Sequence, residues 1–99
     1  MKTKALPSGE DLNKWVMSQV IEALSDLSGI DANKITNDQR KRDQDLELDL
    51  GLNRFYKRSL KGYFDNILEE MGSSEVIQAS QCETLETIND CTNLLMAKA

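Results

Sequence analysis

Histidine is absent from the 99-residue chain. That excludes Cys–His nucleophile pairs and most zinc sites. Proline occurs once, as Pro7, and there are only two cysteines, Cys82 and Cys91. If both cysteines lie near one helix, they sit about 13 Å apart, too far for a disulfide. They read as small buried hydrophobes with free thiols. Runs of Val, Ile, Thr and aromatics alternating at every second position are missing, which argues against a sheet. No apolar stretch is long enough to span a bilayer, and the opening Met1-Lys2-Thr3-Lys4 leads into no apolar signal core. A cytoplasmic protein without membrane insertion is the expectation. Basic residues are outnumbered, 12 against 17 acidic, for a net charge of −5. Nucleic acid needs a broad basic face, so it is not an expected partner.

What remains is the composition of one small helical domain. Residues 1–7 read as a disordered leader, and 8–97 as a single domain. Ser8 followed by Asp11 is a capping-box-like start. Leu12, Val16, Val20, Ala23 and Leu27 recur at helical spacing, which predicts a helix over 9–28 stopped by Gly29. Residues 29–52 keep no helical period. There the triplet Arg40-Lys41-Arg42 meets the acids Asp43, Asp45, Glu47 and Asp49, with Leu46, Leu48, Leu50 and Leu52 alternating among them. The alternation could mean a strand, but a lone strand has no partner, so an extended loop whose leucines dip into the core is expected. A second helix is expected over 53–71, with Phe55, Leu60, Tyr63, Phe64, Ile67, Leu68 and Met71 on its apolar face and Gly72 at its end. One or two helical turns are expected at Ser73–Ile77. Thr87 with Asp90 is another capping-box-like pair, opening a last helix over 86–97. Helices with single apolar stripes bury them against one another, giving a small antiparallel bundle.

Three stretches resemble the acyl or peptidyl carrier proteins. Leu27-Ser28-Gly29-Ile30-Asp31-Ala32-Asn33-Lys34-Ile35-Thr36 is similar to the end of that family's first helix. Leu46-Glu47-Leu48-Asp49-Leu50-Gly51-Leu52 is similar to the approach to its attachment site. Leu85-Glu86-Thr87-Ile88-Asn89-Asp90-Cys91 is similar to the start of its last helix. The resemblance covers about residues 10–96. It implies an all-α, acyl-carrier-protein-like four-helix bundle, three long helices plus one short, with a long loop between the first two long ones. The family's Asp-Ser-Leu falls on Asn53-Arg54-Phe55. In the family that serine carries phosphopantetheine, whose thiol holds the acyl group. A guanidinium has no hydroxyl to modify, so no cofactor is expected by this alignment. If the register slips, Ser59 before Leu60 is the alternative attachment residue, and phosphopantetheine the cofactor of a working carrier.

The second helix opens with Arg54, Lys57, Arg58 and Lys61, where the family is acidic. The cluster reads first as a solvated face; the other reading is a docking surface for an acidic protein or a phosphate, adding to the anion preference of a helix start. Tyr56 and Tyr63 read as core or boundary packing, with the lining of a ligand cavity as the alternative, and Trp15 as a core or boundary residue. The acidic run fails as a calcium loop, with Leu48 where glycine is needed and Arg54 where glutamate is needed. No nucleophile–base pair is visible, so the expectation is a non-enzymatic, monomeric protein acting on protein partners in a fatty-acid- or polyketide-type pathway.

Overall fold

The computed structural model describes residues 10–35 and 45–98. The leader, the Ser8 cap, the Arg40-Lys41-Arg42 triplet and Asp43 lie outside these residues. Among the described residues the secondary structure is α-helical, with one isolated antiparallel bridge between Asp45 and Thr87.

Helix α1 spans Glu10–Ser28. Val16, Val20, Ala23 and Leu24 turn to the core, with Leu12, Trp15 and Leu27 half-buried beside them. It stops where the Gly29 N–H turns back to Ser25 O at 2.8 Å. The Ser25 hydroxyl then donates to Ile30 O at 2.6 Å, fixing the chain's exit. A short helix α2, Ala32–Ile35, follows and buries Ile35.

The second long helix is not continuous. It divides into α3, Arg54–Arg58, and α4, Leu60–Glu70, with Ser59 between them. The Ser59 N–H bonds Tyr56 O at 3.0 Å, the tighter pattern of a 3₁₀ turn. Leu60, Phe64, Ile67 and Leu68 form the buried stripe of α4. Its end is a Schellman motif. The Ser73 N–H reaches Leu68 O and the Gly72 N–H reaches Glu69 O, both at 3.0 Å. Gly72 adopts φ +81°, a conformation only glycine takes without strain.

The expected turns at 73–77 are not helical. That stretch is irregular, and Ile77 enters the core from it. The short helix comes later, as α5, Ala79–Glu83. Helix α6, Ile88–Ala97, is capped as the sequence suggests. Thr87 Oγ1 accepts the Asp90 N–H at 3.1 Å, and Asp90 Oδ2 accepts the Thr87 N–H at 3.2 Å. Helix α1 packs against α6 and α4, and α3 packs against α5. One core of Val16, Leu24, Phe64, Leu68, Ile77, Ile88, Leu95 and their neighbours joins these elements.

The two cysteines lie on different helices, Cys82 on α5 and Cys91 on α6, and both are buried free thiols. Burial, with a smaller push from the Asp65 charge, raises Cys82 to about 11. Burial raises Cys91 as well, helped by neighbouring Cys82 and Asp90.

Candidate functional site

The approach to α3 is a tight turn, not an extended loop. The Leu46 N–H bonds Glu86 O at 2.8 Å, anchoring the segment to the strand-like entry of α6. From there Asp49 N–H reaches Asp45 O and Gly51 N–H reaches Glu47 O, each at 3.0 Å, a helix-like spacing. Asp45 Oδ1 accepts the N–H groups of Glu47 and Leu48 at 2.9 and 2.8 Å. Asp49 Oδ2 accepts the Asp45 N–H at 2.8 Å. The alternating acids therefore close a turn by capping its own backbone. In a helical turn positions 46 and 50 share a face, so Leu46 and Leu50 are buried while Leu48 is 85% exposed. Gly51, at φ +73°, reverses the chain so that Leu52 also reaches the core.

Asn53 then caps α3, its Oδ1 accepting the Tyr56 N–H at 3.0 Å. Arg54 is the first helical residue, and its side chain is 69% exposed. Arg58, one turn on, is also exposed. Both guanidinium groups meet one carboxylate, Glu83 of α5. Arg58 bonds it directly, and Arg54 Nε lies 3.8 Å from Oε1. Phe55 and Tyr56 were expected at the core or its boundary. They are instead 73% and 54% exposed, with the Arg54 guanidinium 6.0 Å from the Phe55 ring centroid.

The four predicted cations do not form one surface. Lys57 is only 6% exposed, and its Nζ donates to Leu85 O at 2.8 Å. On a helix of 3.6 residues per turn, Lys57 and Leu60 face inward and Arg54, Phe55, Arg58 and Ser59 face out. Lys61 is half-buried and bound twice, to Asp65 Oδ2 at 2.7 Å and to Ile77 O at 2.9 Å. Asp65 completes that bracket by accepting the Ile77 N–H at 2.8 Å. Burial pushes the Asp65 carboxyl up, but its bonds to Lys61 and Ile77 and the Lys61 charge outweigh that and hold it below the ordinary value. Glu83 and Asp65 were not singled out in the sequence. Asp65 stands four residues after Lys61, a local signal. Glu83 is 25 residues from Arg58, and nothing local marks it.

Ser59 is exposed at the break between α3 and α4. A second feature lies away from this face. An open groove of about 350 Å³ runs between α1 and α4, over buried Ala23 and Ile67 and past Glu22, Asp26, Tyr63 and Glu70. The Tyr63 hydroxyl donates to Asp26, and that bond, with burial and the Asp26 charge behind it, raises the phenol above its ordinary value. Among the described residues no cluster of acids and cysteines converges as a metal site requires, and no helix is long and apolar enough to cross a membrane.

Comparison with protein-family models, with curated proteins and with solved structures finds no match to this chain.

Proposed function

We propose that this chain is an acyl-carrier-like helical module that carries no phosphopantetheine and works, without catalysis, as a monomeric docking or scaffold protein in a fatty-acid- or polyketide-type pathway of the cytoplasm. The observation that carries the reading is Arg54. It follows the Asn53 cap as the exposed first residue of α3, directly after the leucine-anchored turn. That is where the resemblance calls for the attachment serine. A permanently charged guanidinium there offers a contact and no hydroxyl. Arg54 and Arg58 are the outward cations of the face, while Lys57 and Lys61 serve the fold beneath it.

A second reading rests on Ser59. Its exposure at the helix break leaves a hydroxyl on the surface five residues from Arg54. Loaded there, the chain would be a working carrier holding acyl groups on phosphopantetheine.

Intact mass after incubation with coenzyme A and a broad-specificity phosphopantetheinyl transferase separates the two. The expected result is an unchanged mass while a known carrier in the same tube is modified. A gain of one phosphopantetheine, lost in Ser59→Ala, would establish the second reading.

A further inference from the structure

Among the described residues, four large hydrophobic side chains are strongly exposed, and two of them, Phe55 and Tyr56, sit side by side on the five-residue α3. Phe55 flanks the Arg54–Arg58 pair on the outward side, and exposed Ser59 and Gly62 continue that side along the helix. A Cβ built on Gly62 would meet nothing within 4 Å, so the surface beyond Phe55 is low and open. Helix α3 carries no acid of its own. The charge that answers its two arginines comes from α5, where the single carboxylate of Glu83 is shared between them.

One carboxylate for two guanidinium groups leaves the face with unanswered positive charge beside an exposed ring. It also shows what the face accepts, since Glu83 is itself a carboxylate held by both arginines. We propose that this face takes an acidic amphipathic helix of a partner protein, whose apolar side covers Phe55 and whose carboxylates replace Glu83 on Arg54 and Arg58. Two carboxylates one helical turn apart on the partner match two arginines one turn apart here. Glu83 acts as a built-in competitor that lowers the affinity of the face. The inference rests on the docking reading above and adds the partner's chemistry and the role of Glu83.

Arginine in this setting does more than supply charge. Its planar fork binds a carboxylate through two N–H groups and packs on an aromatic ring. In the free protein the Arg54 guanidinium already lies 6.0 Å from the Phe55 ring centroid. An exposed pair such as Arg58–Glu83 is weak in water, so exchanging its carboxylate for a partner's costs little. The apolar contact with Phe55 supplies the net gain.

The test is titration of the full chain, at low and at physiological salt, with a synthetic amphipathic helical peptide bearing leucines on one face and glutamates flanking them. The same peptide with glutamine at every glutamate is the control. Binding is read by fluorescence anisotropy, and by amide chemical shifts to locate it. The glutamate peptide is expected to bind on α3, more weakly as salt rises, and the glutamine peptide at least tenfold more weakly. Glu83→Gln should bind up to about fivefold tighter, the scale of an exposed ion pair. Arg54→Glu with Arg58→Glu should abolish binding, and Phe55→Ser should weaken it. Lys14→Glu, an exposed cation on α1, should change nothing. Circular dichroism of each variant keeps a folding defect from counting as lost binding.

Equal binding of the two peptides, or unchanged binding by the double arginine variant, overturns the partner assignment. So does binding to phosphatidylserine vesicles in place of the peptide. Unchanged affinity in Glu83→Gln overturns the competitor role. The intact-mass assay on the same preparation keeps the two levels apart. A mass gain at Ser59 removes the docking reading itself, whereas an unchanged mass with no peptide binding removes only the acidic-helix partner.

Discussion

Lys57 has a charge that most positions of this chain could not hold. Its ammonium is withdrawn from water and rests on a single carbonyl, Leu85 O, with no carboxylate paired to it. A buried ammonium without an ion pair is poorly compensated, while the long methylene stem packs as a hydrophobe. Methionine keeps the stem and removes the charge, at the expense of leaving the Leu85 carbonyl without its donor. These terms oppose and are of similar size. Lys57→Met is therefore expected to fall within about 1 kcal/mol of the wild type in urea unfolding. Lys57→Glu puts an anion against a carbonyl oxygen and should cost about 3 kcal/mol or more. The inward turn of Lys57 was not legible in the sequence. In its neighbourhood, Arg54, Lys57, Arg58 and Lys61 look alike as residue types; Lys57 shares the inward stripe with Leu60, and the carbonyl that receives its ammonium lies 28 residues downstream. Phe55 fails for the converse reason. Its hydrophobicity suggests burial, but its position on α3 is set by Leu52, Lys57 and Leu60, which claim the inward side.

At the scale of elements, legibility follows the range of the interactions. The Thr87–Asp90 box was readable because both partners lie within one turn. The ends of α1 and α4 were readable because Gly29 and Gly72 mark them locally. The segment from Asp45 to Leu52 misled because a period of two in its leucines mimics a strand. What decides its shape is the set of bonds from Asp45 and Asp49 to nearby backbone N–H groups, which bend it into a turn and leave Leu48 outside. The division at Ser59 has no strong local mark either, since its φ and ψ remain helical. The caps give the test at this scale. Thr87→Ala and Asn53→Ala should each lower stability by about 1 kcal/mol in thermal unfolding. Their local effects should differ. Loss of the Asn53 cap should speed hydrogen exchange at the Tyr56 amide, which it holds, and leave the Asp90 amide as it was.

For the molecule as a whole, the two buried thiols set a limit on the alkaline side. Their folded pKa values are raised, Cys82 to about 11 and Cys91 also upward, from a starting value of 9.0. In the unfolded chain both ionise near that starting value. The stability they contribute is thus complete below pH 9 and is lost as pH rises through the window up to about 11 for Cys82. Unfolding free energy should fall there by about 1 kcal/mol per pH unit for each thiol. Cys82→Ala with Cys91→Ala should flatten that decline, whatever it does to stability at neutral pH. The sequence already gave the thiols as buried and free. Their placement on two separate helices needed the fold, because the break between α5 and α6 is closed by backbone bonds, Thr84 N–H to Gln81 O and Leu85 N–H to Cys82 O, that the spacing of the cysteines does not mark.

The bracket of Lys61, Asp65 and Ile77 has a consequence of a different kind. The Ile77 amide belongs to no helix, yet it is held by a part-buried carboxylate oxygen at 2.8 Å, at the edge of the core its side chain enters. Its hold depends on that carboxylate staying ionised, which the depressed value of Asp65 secures until the medium is more acid than carboxylates ordinarily tolerate. The connection between α4 and α5 is therefore an irregular stretch that one ionised carboxylate helps to hold, beside the burial of Ile77 and the Lys61 bond to its carbonyl. Strong acid should therefore speed hydrogen exchange at the Ile77 amide before it melts the helices on either side.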